Sequence, residues 1–212
     1  MKFEELLRKF QELPVIDTEN LFAGNENNGP VKVQISRWAK AGRLIQLKRG
    51  YYLLSGEYRK FEPFGPHIAA LLVAPSYVSC EKALEFHGLI PERVGVYTSV
   101  TTKRQARFSS KEGTFEYRHL KPSLFWGYSS VSFEKQTGFM ALPEKALLDF
   151  FYFKRIHATS AYIEELRLQN TEVINTEKLR EFAARFHKPG MVALAQHLIH
   201  LIQTESGETK TL

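Results

Sequence analysis

The chain has 212 residues, 43% of them hydrophobic and 25% charged, and its 29 Lys or Arg against 23 Asp or Glu give a net charge of +6. That balance excludes a disordered chain and suits one large domain, or a small one beside a medium one. No apolar run approaches the ~18 residues of a membrane span, the acids at Glu4 and Glu5 are unlike a secretion signal, and Cys80 alone can form neither an internal disulfide nor a cysteine zinc site, so a cytoplasmic protein without membrane contact is expected.

Phe3, Leu6, Leu7, Phe10 and Leu13 recur at helical spacing and predict a support helix over residues 2–13, with Pro14 just past its end. Asp17 is placed to cap a short helix over 18–22, with Leu21 and Phe22 facing inward and Gly24 as its stop. Residues 24–29, with three Asn, form the turn that follows, longer than the usual three- or four-residue connection. Pro30 then suits a first helical position and Gly42 a left-handed stop. Between them Val31, Ile35 and Trp38 share one stripe with Ala39 beside it, while Lys32, Val33, Ser36, Arg37 and Lys40 spread over the opposite arc. Residues 44–47 and 51–54 are short apolar runs joined around Lys48, Arg49 and Gly50, the composition of a hairpin with a cationic tip. Tyr51 and Tyr52 fall on opposite faces of the returning strand.

Helix, helix, turn, helix and hairpin in that order make a winged helix-turn-helix over residues 1–58, whose third helix reads the major groove of double-stranded DNA while the wing reaches phosphates. Charge agrees with this. Residues 31–60 hold eight Lys or Arg against one Glu, a net of +7, whereas residues 1–30 sum to −3 and 61–212 to +2. The excess cation therefore sits in one segment, as an electrostatic footprint on a polyanion requires. Lys32, Ser36, Arg37 and Lys40 are expected in the groove, with Arg43, Lys48 and Arg49 on the backbone.

Residues 55–66, with Pro63, Gly65 and Pro66 at their end, break periodicity and mark a domain boundary. A mixed domain over 63–206 follows. It starts with an apolar helix over 67–73 and a second helix that Ser79 caps and Gly88 ends, holding Ala83, Leu84 and Phe86. Strands over 94–101, 115–120, 128–133 and 138–142 suit an antiparallel sheet, with basic links such as Lys103 and Arg104. Helices return at Pro143, with Ala146, Leu147, Phe150, Phe151 and Phe153 on a wide apolar face, then over 160–168, 175–186 behind an Asn175 cap, and 191–203. Residues 207–212 read as a frayed tail. The fold class is α+β, with an antiparallel sheet and C-terminal helices.

An enzyme would need a reactive constellation. His197 and His200 lack a third ligand at a recognisable spacing. His87 suits the last turn of its helix, and Glu81 and Glu144 suit first turns, where the helix dipole favours acids. Asp149 completes the set of candidate carboxylates. There is no phosphate-cradling glycine loop and no nucleophile elbow. No catalysis, metal or cofactor is therefore expected. The alternatives are a nucleic-acid-processing enzyme targeted by a winged helix, and an adaptor whose sheet domain binds a protein.

Residues 42–52 (Gly-Arg-Leu-Ile-Gln-Leu-Lys-Arg-Gly-Tyr-Tyr), 77–92, 97–104 and 141–149 (Ala-Leu-Pro-Glu-Lys-Ala-Leu-Leu-Asp), in this order, resemble the AbiEi family, the antitoxins of type IV abortive-infection toxin-antitoxin systems. The resemblance covers most of residues 1–155. It implies a promoter-binding autorepressor whose second domain counteracts a nucleotidyltransferase-like toxin encoded beside it, by opposing the toxin's effect rather than by holding it in a stable complex.

Overall fold

The structure, a computed structural model, describes residues 1–22, 28–154, 163 and 166–208, with no side chains described beyond Thr204. The stop expected at Gly24, most of the turn over 24–29, most of the helix expected over 160–168 and the tail beyond Glu208 lie outside the described residues.

The N-terminal segment forms α1 (Phe3–Phe10), β1 (Ile16–Asp17), α2 (Thr18–Phe22), α3 (Gly29–Lys40), β2 (Leu44–Lys48) and β3 (Tyr51–Leu54). α1 stops short of the expected residue 13: Leu13 stays half exposed, outside the core that Phe3, Leu6 and Phe10 enter. Asp17 caps α2 as expected, its Oδ1 accepting the Glu19 amide at 2.9 Å. At the end of α3 the amide of Gly42 donates to the Ala39 carbonyl and that of Arg43 to Trp38, a Schellman closure that Gly42 permits with φ +74°.

β1, β3 and β2 form a three-stranded antiparallel sheet in that order. Its two faces serve different cores. Leu44 and Leu54 face a small cluster with Phe3, Leu6, Phe10, Ile16, Leu21 and Ile35. Leu47 and Leu53 face the main core of the rest of the chain. The register slips between Gln46 and Lys48, a bulge that turns Lys48 to the side of Leu47 rather than of Leu44. Tyr51 and Tyr52 divide as the alternation predicts, Tyr51 against the main core and Tyr52 against the small one. No helix or strand lies between Leu54 and Gly65, where the domain boundary is expected, yet packing crosses it through the hairpin.

The second part comprises α4 (Gly65–Leu72), β4 (Ser76–Val78), α5 (Cys80–Phe86), β5 (Val96–Thr101), β6 (Ala106–Ser110), β7 (Gly113–His119), β8 (Tyr128–Phe133), β9 (Gln136–Ala141), α6 (Pro143–Lys154), α7 (Thr176–Ala184) and α8 (Pro189–Glu208). It is α+β, with antiparallel pairing in the sheet and helices at the C-terminus. Six strands run in the order β6-β7-β5-β4-β9-β8. Three antiparallel pairs, β6 with β7, β5 with β4 and β9 with β8, are joined by parallel pairings of β7 with β5 and β4 with β9.

The sheet separates α4 from α6. On one face the Tyr117 hydroxyl donates to the Ala69 carbonyl of α4 at 2.8 Å. On the other, Tyr77, Val100 and Arg118 share a row by register, and Tyr77 and Arg118 meet α6 at Asp149 and Phe153. α7 and α8 close over α6 with Leu179, Ala183, Leu194 and Leu198 buried. The Asn175 cap is present, accepting the Lys178 amide at 2.9 Å. Among the described residues no helix is long and apolar enough to cross a membrane.

Polar groups lock α6 onto β4. Lys145 and Asp149 are fully buried and paired one turn apart. Asp149 also accepts the hydroxyls of Ser79 (2.8 Å) and Tyr77 (3.0 Å), and Lys145 reaches the Tyr77 oxygen at 3.0 Å. Trp126 and Phe186 wall the ammonium, with ring centroids 4.9 and 5.1 Å from Nζ. Burial, with the neighbouring carboxylate, pushes the Tyr77 hydroxyl well above its usual range.

Candidate nucleic-acid interface

α3 is positioned by one buried side chain and its aromatic neighbours. Ile35 lies in the small core, and Val31, Trp38 and Ala39 pack around it. Phe3 of α1 meets the Trp38 ring at 5.3 Å and the Tyr58 ring edge-on at 5.0 Å. With that stripe anchored, the 100° step of the helix leaves Lys32, Val33, Ser36, Arg37 and Lys40 on the outer arc. All five are exposed, Val33 at 52%.

Among the described residues, Lys32, Arg37, Lys40, Arg43 and Arg49 have no acidic partner within ion-pair distance. Arg43 is exposed, with its guanidinium 5.0 Å from the Phe3 ring, so its stem covers the small core while its charge remains in water. Lys32 likewise lies over the Phe22 ring at 5.5 Å. A cleft of about 490 Å³ between the start of α3 and the hairpin tip is lined by both Lys32 and Arg49. Asp17 and Glu19 line the same cleft. The cleft is therefore of mixed charge, and the unopposed cations belong to the outer arc of α3.

The tip is tied down on one side. The Gly50 carbonyl accepts the Thr18 amide at 2.8 Å, and a Cβ on Gly50, which has φ +88°, would come within 3.3 Å of the Thr18 hydroxyl. Arg49 stays exposed beside it.

Lys48 does not join this surface, which corrects its expected place on the DNA backbone. The bulge in β2 points it at the main core, where its ammonium donates to the Leu72 carbonyl at 2.5 Å and lies 4.3 Å from the Tyr51 ring. Burial there pushes its pKa down. Lys48→Ala is expected to leave duplex DNA affinity and its salt dependence unchanged. It should lower the unfolding free energy by about 1 kcal/mol, the contribution of one such bond. Salt titrations of DNA binding and urea unfolding check the two halves separately.

Glu81, His87 and Glu144 each hold a contact within the fold. Glu81 pairs with Lys154 at 3.3 Å. His87 hydrogen-bonds the Ala141 carbonyl at 2.8 Å, so it joins α5 to the end of β9 rather than only facing its own helix terminus. Glu144 is buried, not a solvated first-turn acid, and accepts the Asn175 amide at 2.9 Å. Cys80 is buried, and burial with the carboxylates of Asp149 and Glu81 pushes its thiol well up, away from thiolate reactivity. Among the described residues no three His, Cys, Asp or Glu gather closely enough to hold a metal.

Val33 is the residue that charge-based reading passes over. It is an exposed branched side chain among the cations of the outer arc, and its place there is already set by helical spacing. Compared with known proteins, the chain matches no family model and no curated protein.

Proposed function

We propose that the chain is a DNA-binding repressor of its own operon and the antitoxin of a type IV toxin-antitoxin pair, of the AbiEi kind that its sequence resembles. Residues 1–58 act as a winged helix on double-stranded operator DNA. The part from residue 63 counteracts a nucleotidyltransferase-like toxin without a stable complex, in the cytoplasm and without a cofactor. The observation that carries the DNA half is the outer arc of α3, where Lys32, Arg37 and Lys40 stand exposed around Ser36 and Val33, with Arg43 and Arg49 flanking them. A rigid helix bearing unpaired cations, held from behind by Ile35, can enter a major groove at little ordering cost.

The roles differ along this surface. Arg37→Ala should lose about 1–3 kcal/mol on operator DNA and less on random duplex, if the guanidinium reads a guanine edge. Arg49→Ala should weaken both duplexes alike and reduce the salt slope by about one unit, as loss of one phosphate contact does. Equal losses on both DNAs for both variants would remove the division between reading and holding. For the antitoxin half, co-expression should relieve the growth arrest caused by the neighbouring gene while the two proteins migrate separately; a stoichiometric complex would favour direct neutralisation instead.

A further inference from the structure

The chain carries a second basic surface, on the far side of the hairpin from Arg49. One cavity of about 1030 Å³ lies between the hairpin, the end of α4 and the β5–β6 link, and its cations are Lys48, Lys103 and Arg104. A second, of about 920 Å³, lies along β7 and the end of α6, with Arg107, Arg118 and Lys188. The two share Gln105, Ala106 and His119, so they adjoin one another around the end of the sheet.

Charge along this path is one-sided. The first cavity has no acid in its lining. The second has Glu116 alone, shared between Arg107 at 3.5 Å and Arg118 at 3.3 Å, which leaves cation in excess. Aromatic rings stand among the charges. Tyr152 and Phe153 line the second cavity, with Lys188 4.4 Å from the first ring and Arg118 5.6 Å from the second.

We infer that this path binds a single-stranded polynucleotide, with phosphates along Lys103, Arg104 and Lys188 and a base against Tyr152 or Phe153. Cations that track a backbone, interleaved with rings on which bases can stack, are the means by which single strands are held without sequence preference. Each cavity is as large as a small-ligand site, and two in succession suit an elongated flexible occupant. A duplex, whose bases are already stacked inward, cannot offer them to the rings. This site is independent of the duplex-binding reading of α3.

Fluorescence anisotropy of the full chain with labelled oligo(U) and oligo(dT) of about 4 and about 12 nucleotides tests it. Affinity is expected to rise with length, and comparison of the two sugars tells whether the strand is RNA or DNA. The exposed pair Lys103→Gln/Arg104→Gln should weaken binding of the longer strand at least about tenfold at moderate salt and reduce the salt slope by about 0.7 per lost phosphate contact. Lys188→Gln should act in the same direction. The control Arg37→Ala/Lys40→Ala should bind the strand as the unaltered chain does. The inference fails if the glutamine variants bind unchanged, if affinity does not grow with length, or if a random duplex of equal length displaces the strand as well as unlabelled strand does. Loss of strand binding in the α3 control would also sink it, by placing the strand on α3.

Discussion

Lys145→Met is expected to lower the unfolding free energy by about 3–5 kcal/mol, the cost of leaving one member of a buried ion pair without its partner. Asp149 would remain fully buried, with the hydroxyls of Ser79 and Tyr77 as its named donors. Those two neutral donors cannot replace an ammonium in a medium of low polarity. The walls of the site make relaxation difficult, because Trp126 and Phe186 close over the position that Nζ occupies and water has little room to substitute. The double variant Lys145→Met/Asp149→Leu should recover much of the loss, since removing both charges also removes their shared desolvation cost. Urea unfolding of the three proteins, with unchanged m-values, measures this. A single variant within about 1 kcal/mol of the parent would mean that the pair is not what fastens α6 to β4.

The same pair bears on how much of the molecule can be read from the chain. Lys145 and Asp149 stand one helical turn apart and invite the reading of a solvated surface pair, yet both are buried. Apolar neighbours on every side of α6 contain the signal, since Ala146, Leu147, Leu148, Phe150 and Phe151 leave the helix no polar face. Elements with strong local instructions were legible. The outer arc of α3 follows from its period and stops, and the cap of α7 from Asn175. β4 and β6 were not: β4 is three residues long, and β6 is an edge strand whose Arg107 and Ser109 face water. The parallel pairings were also hidden, because they join strands distant in order. Of the site, Lys32, Ser36, Arg37, Lys40, Arg43 and Arg49 stand exposed as the spacing predicts. Lys48 does not, because alternation places it with Leu44 and Gln46 until a bulge reverses it, and bulges depend on what lies on both sides of the strand.

Because the hairpin is shared between two cores, a lesion in the small one should be felt unevenly. Phe3→Ala is expected to cost about 3–5 kcal/mol of local stability, the range for a buried phenyl ring, since Phe3 touches Trp38, Tyr58 and the Arg43 guanidinium together. Its contact with Trp38 joins α1 to α3 directly. Amide exchange should therefore accelerate across α1 and α3, while β2 and β3 keep part of their protection through Leu47 and Leu53 in the main core, and β5 and β7 keep all of it. Duplex DNA binding should fall with the loss of order in α3, although no exposed cation has been altered. Lys103, Arg104, Tyr152, Phe153 and Lys188, the proposed contacts of the single strand, lie outside the loosened elements, so strand binding should be largely spared. Uniform acceleration of exchange from α1 through β7 would instead make the two cores one cooperative unit, in which case α3 could not be loosened without unfolding the sheet.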